Sequence, residues 1–188
     1  MELLNILEDI ISLDKSHREE ISGLVEVRNY KKNETFLLRR NPCSTIGFVI
    51  RGSFRYIIDI EGNDRAFDFA IENEFISDYY GILKSKPASF EIIANQPSTV
   101  ACLPTEKVLG LFDKDMVYQK IGRTIAETEF CRHHERLTSL MYHSPQKRYE
   151  DLLDTMPKHV QTLPQYLLAN YLGITKETLS RIRSKISK

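Results

Sequence analysis

The sequence predicts an α+β protein: N-terminal helix, an all-β roll, one long helix, and a C-terminal domain that ends in a helix-turn-helix. Three observations carry this. From Leu24 to Leu103, short β-branched and aromatic runs alternate with turn residues. From about Lys114 to Tyr142 there is no proline and only one glycine, Gly122. From Thr162 to Ile186, TLPQYLLANYLGITKETLSRIRSKI has the spacing of two short helices joined by a tight turn.

Up to about Gly23, Leu3, Leu4, Ile6, Leu7, Ile10, Ile11 and Ile21 recur at helical intervals. LVEVRNY, ETFLL, IGFVIRG, FRYIIDI, RAFDFAI, SFEIIA and STVACL then read as strands, parted by KKN, RRNP, EGND and NQP. FRYIIDI and RAFDFAI, joined around Gly62, form the clearest hairpin. Seven or eight strands at this spacing indicate a small barrel or sandwich. Pro104 ends the roll and TEKVLGLF reads as a short helix. On the long helix, Val117, Ile121, Ile125, Thr128, Leu137, Leu140 and Met141 make an apolar stripe, interrupted by His133, His134 and Glu135. A stripe this long exceeds what a compact domain covers and reads as the seam of a homodimer. His143-Ser144-Pro145 breaks the helix, and PQKRYEDLLDTM opens the last domain with Tyr149, Leu152 and Leu153 facing its core. The divisions are 1–104, 105–143 and 144–188.

In the last domain, Leu168, Leu172, Ile174, Leu179 and Ile182 are spaced to meet in one core, with Ala169 where the helices touch. Gly173 fits a left-handed helix cap and Thr175 an N-cap for the second helix. This leaves Thr175, Lys176, Glu177, Thr178, Ser180 and Arg181 outside, the part of such a motif that meets base edges in the major groove. Arg181 suits guanine O6 and N7, Glu177 cytosine N4, and Lys176 guanine or phosphate. Lys185 and Lys188 are expected at phosphates.

The 188 residues carry 26 basic and 26 acidic side chains, yet residues 145–188 hold eight Lys and Arg against four Asp and Glu. A net +4 tail on a net −4 body fits phosphate contact at the C-terminal end. No run of eighteen apolar residues and no basic-then-apolar leader occurs, which points to a cytoplasmic protein without a membrane span. Cys43, Cys102 and Cys131 show no C-x-x-C spacing and read as free thiols. No nucleophile elbow, zincin motif, P-loop or dinucleotide fingerprint is present, so no catalytic residue is assigned.

The order of elements, with GITKETLSRI (Gly173 to Ile182) and IGFVIRGSFRYIIDIEG (Ile46 to Gly62), resembles the cyclic AMP receptor protein/Fnr (Crp/Fnr) family of bacterial transcription regulators. The resemblance implies a cyclic-nucleotide-binding type of roll, a double-stranded β-helix. It also implies binding as a homodimer to an inverted-repeat operator in double-stranded DNA, with RNA polymerase as a possible further partner. It places Lys176, Glu177 and Arg181 at the base-reading positions. Family members that hold a cyclic nucleotide use a Gly-Glu pair and an Arg-Ser pair. By this likeness Glu74 and Ser89 are the candidate effector-pocket residues, while Asn73 and Ala88 stand where the glycine and arginine are expected. Burying a phosphate without a cation is costly, so the pocket reads as degenerate or repurposed, its effector an unknown small molecule. No cysteine precedes Cys43 and no histidine lies between His17 and His133, which argues against iron–sulfur or haem sensing; no metal and no cofactor is assigned. Two other readings stand beside DNA binding: a cyclic-nucleotide or small-ligand sensor acting through protein contacts, and a cupin-like barrel enzyme. The second lacks the roll histidines that its metal would need.

Overall fold

The computed structural model of the chain describes residues 2–186. The apolar N-terminal pattern forms two helices, α1 (Glu2–Ile10) and α2 (Lys15–Leu24). The break falls at Asp14, whose carboxylate accepts the His17 N–H at 2.9 Å and so caps α2. Leu3, Leu4, Leu7 and Ile21 then share a core with Phe48, Ala101 and Leu103 of the roll.

The roll consists of β1 (Glu26–Tyr30), β2 (Thr35–Leu37), β3 (Thr45–Arg51), β4 (Ser53–Ile60), β5 (Asn63–Ile71), β6 (Phe75–Ile76), β7 (Glu91–Ala94) and β8 (Ser98–Pro104). A short helix, α3 (Tyr79–Lys84), lies between β6 and β7. All pairings are antiparallel, in two four-stranded sheets ordered β1-β8-β3-β6 and β2-β7-β4-β5. Phe54, Ala70, Ile76, Ile92 and Val100 fill the space between the sheets. Gly52 is where the chain passes from one sheet to the other. Its φ is +104°, and a Cβ there would lie 2.1 Å from the Ser98 hydroxyl, so only glycine fits. The β4–β5 turn is tighter than expected. Glu61 and Gly62 both have positive φ, the two-residue turn whose twist matches the strands, and β5 begins at Asn63 rather than Arg65.

One irregularity in that hairpin matters for function. Tyr56 pairs with Asp68 but its neighbour Ile57 pairs with Ala66, so Phe67 is an extra residue, a β-bulge. Alternation slips by one there. Phe67 and Asp68 both turn inward, while Ala66, Phe69 and Ile71 turn outward.

Beyond the roll come α4 (Thr105–Lys114) and the 27-residue α5 (Met116–Tyr142), capped by Asp115, which accepts the Val117 N–H at 2.7 Å. The expected single stripe along α5 is corrected. Val117, Ile121 and Ile125 pack with α1 and the roll, whereas Phe130, Leu137 and Met141 are 60–70 % exposed on the second half. The apolar face changes sides along the helix, and on the second half the side toward the roll carries Arg132, which bonds Asp68 of β5.

Ser144 caps α6 (Pro145–Thr155), whose first residue is proline, as the break at His143 predicts. A helix without a counterpart in the sequence reading, α7 (Pro157–Thr162), precedes α8 (Gln165–Tyr171) and α9 (Lys176–Ile186). Gly173 has φ +65°, and the N–H groups of Gly173 and Ile174 bond Asn170 O and Ala169 O, each at 3.0 Å, which closes the end of α8. Leu152, Leu167, Leu168, Leu172, Leu179 and Ile182 form the core of these helices. That core also takes in Ala66, Phe69 and Ile71 of β5, so the C-terminal helices are seated on the roll. Among the described residues no helix is long and apolar enough to cross a membrane.

Candidate functional site

Two places gather functional chemistry: a cavity between the roll and α5, and the exposed face of α9. The cavity measures ≈ 650 Å³, within the ordinary range for small-molecule sites. Its inner wall is an aromatic triangle. Tyr56 and Phe67 have ring centroids 6.0 Å apart, Tyr56 and Phe90 5.5 Å, and Phe67 and Phe90 5.3 Å. The bulge puts Phe67 in this triangle, since a regular strand could not turn both Phe67 and Asp68 inward.

The polar end of the cavity is an ion cluster. Asp68 is buried on β5. Its Oδ1 accepts from Arg132 Nη1 at 3.1 Å and its Oδ2 from Nη2 at 3.3 Å. Arg132 also donates to Glu129 at 2.8 Å from Nη2. Burial by itself would lower the Arg132 pKa, but Asp68 and Glu129 outweigh it and hold the guanidinium charged. Burial and the neighbouring Arg132 push His133, at the rim, below its ordinary pKa. Tyr56 is held protonated, first by burial and then by Asp68.

Near the cavity mouth Asp78 caps α3. Its carboxylate accepts the Gly81 N–H at 2.9 Å and the Ser89 N–H at 3.4 Å, and the residue is 2 % exposed. No group of three or more metal-ligating side chains forms among the described residues.

On α9, Thr175 Oγ1 accepts the Thr178 N–H at 3.2 Å as the expected cap. Leu179 and Ile182 are buried, while Lys176, Glu177, Ser180, Arg181 and Lys185 are exposed and Thr178 is half-buried. Arg181 Nη2 donates to Thr178 Oγ1 at 3.1 Å, which holds the guanidinium along the helix face. A backbone N–H at the helix start, then the Thr175 hydroxyl, keep the Glu177 carboxyl below the usual carboxylate range. A groove beside this face brings in Ser144 and Gln146 from the start of α6, residues that the sequence reading did not select. Their signal was the Ser-Pro helix start, which shows where α6 begins but not what lies beside it. Lys188 lies outside the described residues.

Residues 27–115 match the family described as the cyclic nucleotide-binding domain. The match spans the roll and α4. Solved structures share the arrangement over nearly the whole chain. FixK2 from Bradyrhizobium japonicum superposes with a TM-score of 0.75 at 17% identity, covering 87% of this chain and 84% of that one. The c-di-GMP responsive global regulator CLP from Xanthomonas campestris does so with a TM-score of 0.68 at 16% identity, covering 93% and 92%. A putative transcriptional regulator of the Crp/Fnr family from Eubacterium rectale gives 0.68 at 16% identity, covering 93% and 84%. The chain therefore has the fold of Crp/Fnr family regulators. No curated protein sequence matches it.

Within the roll, Glu74 and Ser89 are not among the residues that line the cavity. Glu74 follows β5 in a turn that points to the C-terminal helices. Its Oε1 meets His159 Nε2 of α7 at 2.7 Å and its Oε2 accepts the Ile71 N–H at 2.9 Å. Ser89 meets Asp78 through its backbone N–H, so the acid brought beside Ser89 is Asp78 and not Glu74. Ala88 is 3 % exposed and packed in the roll core, where its methyl group offers a ligand no charge. The cavity residues Tyr56, Phe67, Phe90, Asp68 and Arg132 were not selected from the sequence. Strand alternation without the bulge hides Phe67, and the Asp68–Arg132 pair spans 64 residues.

Proposed function

We propose that this protein is a sequence-specific DNA-binding transcription regulator of the Crp/Fnr type. In this reading residues 1–104 are a sensor, 105–143 a dimerisation segment and 144–188 a helix-turn-helix DNA-binding domain. The observation that carries it is the face of α9. A capped, well-packed helix leaves Thr175, Lys176, Glu177, Thr178, Ser180, Arg181 and Lys185 on its open side, on the half of the chain with excess positive charge. Phe130, Leu137 and Met141, with His134 between them, recur on one side of α5 and are exposed, which suits a helix pair between two copies. Two α9 helices of such a dimer would enter major grooves about 34 Å apart, and the operator is then an inverted repeat.

Selection of binding sites from random duplexes, followed by titration of the selected site, tests this reading. Wild-type protein enriches an inverted repeat, and light scattering gives a dimer mass. Arg181→Ala costs about 1–3 kcal/mol per half-site and relaxes preference at one base pair, whereas Lys185→Ala weakens all sequences alike and lowers the salt slope by about one. Leu137→Glu, on the exposed half of α5, separates the dimer. Failure to enrich any sequence would overturn the proposal.

A further inference from the structure

We propose that the cavity between the roll and α5 binds an uncharged, mainly apolar small molecule with one hydrogen-bond acceptor, and that it rejects cyclic nucleotides and other anions. The inference deepens the reading of the chain as an effector-controlled regulator and rests on it. Its walls are aromatic and aliphatic side chains drawn from α1, the roll, α3, α4 and α5. Four charged residues other than His133 line it: the carboxylates Asp68, Asp78 and Glu129, and the one guanidinium of Arg132.

That guanidinium is already bonded to two of the carboxylates. The third carboxylate, Asp78, is itself a negative group, held by the Gly81 and Ser89 N–H groups. His133 is pushed toward its neutral form. An entering phosphate therefore finds three negative groups and no unpaired cation, and its desolvation goes uncompensated.

Apolar surface, in contrast, gains from burial against Tyr56, Phe67 and Phe90. The Tyr56 hydroxyl makes no hydrogen bond within the described residues and stays protonated, so it is the donor that a carbonyl or ether oxygen of the ligand would meet. A second copy of the chain is a different occupant. Of the exposed apolar residues on the second half of α5, Phe130 borders the cavity but Leu137, Leu140 and Met141 do not, so a helix laid on that face meets the cavity only at Phe130 and leaves the aromatic triangle open.

The test uses the full chain and matched fluorescent probes. N-phenyl-1-naphthylamine is neutral, 1-anilinonaphthalene-8-sulfonate is the same skeleton with a sulfonate, and 6-propionyl-2-dimethylaminonaphthalene is neutral with a carbonyl. Both neutral probes bind saturably at one per protomer, and the sulfonate and cyclic AMP bind at least about tenfold more weakly. Ala126→Phe, which fills the cavity from α5, weakens both neutral probes about tenfold, with folding checked by its urea midpoint. Tyr56→Phe weakens only the carbonyl probe, by about threefold to tenfold.

The proposal is overturned if cyclic AMP or the sulfonate binds as tightly as the neutral probes. It is also overturned if Ala126→Phe leaves them bound, or if Tyr56→Phe leaves the carbonyl probe unaffected. Enrichment of an operator without binding of the neutral probes would remove the ligand class and keep the regulator. Binding of the probes without any enriched DNA would do the reverse.

Discussion

The two sides of β5 face opposite conditions. Outward, Phe69 lies 4.7 Å from the Tyr171 ring and 5.3 Å from His159, and with Ala66 and Ile71 it shares a filled core with the C-terminal helices. Inward, Phe67 and Asp68 border a hollow of ≈ 650 Å³. One strand thus belongs at once to a closed joint and to an open site, and a single bulge sets which residue serves which. The contrast teaches that stability and ligand chemistry are separated here by side of strand rather than by domain. Phe67 and Asp68 stand next in chain to Phe69, which packs with the C-terminal helices.

Identical truncations on the two sides of β5 are expected to differ most. Phe69→Ala removes a fully packed ring and is expected to cost about 3–5 kcal/mol in urea unfolding. Phe67→Ala removes a ring that already faces open space and costs about 1–2 kcal/mol. Equal losses would mean that the inward side is as filled as the outward one. Next in size is Arg132→Met, expected to cost about 3 kcal/mol because Asp68 is left buried with, among the described residues, the Phe69 N–H as its one hydrogen-bond donor and His133 Nδ1 no nearer than 3.9 Å. Equilibrium denaturation that gave no loss would show that the ion cluster does not close the polar end.

Glu74→Ala removes the carboxylate between the roll and His159 and should cost about 1 kcal/mol, with probe binding in the cavity unchanged. A change in probe affinity would join the two sides that the comparison separates. The smallest effect concerns His133. Its folded pKa lies below the unfolded value of about 6.5, so the unfolded chain takes up the proton first and stability falls as pH drops below that value. His133→Asn should flatten the stability profile between about pH 7 and 5.5 relative to wild type, and parallel profiles would assign the acid loss to other groups.

Much of the architecture was legible because its signals are local. The Thr175 cap, the Gly173 end of α8, the Ser144-Pro145 start of α6 and the Gly62 hairpin each depend on a few neighbouring residues. The α9 face followed from the same local information, since Leu179 and Ile182 turning inward leaves Lys176, Glu177, Ser180 and Arg181 outward. The stripe on α5 was legible only as apolar residues, because the spacing of a helix does not say which neighbour covers which half. Helix α3, the two-residue β6 and α7 are too short for a pattern to repeat, so no periodicity marks them.

Glu74 shows where sequence reasoning stops. As a carboxylate after a strand it fits a ligand role, but its partner, His159, is 85 residues away. The order of elements, their caps and turns, and the chemical character of the α9 face are written locally in the chain, because backbone propensity and capping act within a few residues. That Phe67 lines a cavity while Phe69 packs with the C-terminal helices, and that Arg132 is paired, follows from the folded arrangement alone. Those outcomes depend on a one-residue bulge and on contacts between distant segments, where packing and charge pairing act after the chain has closed.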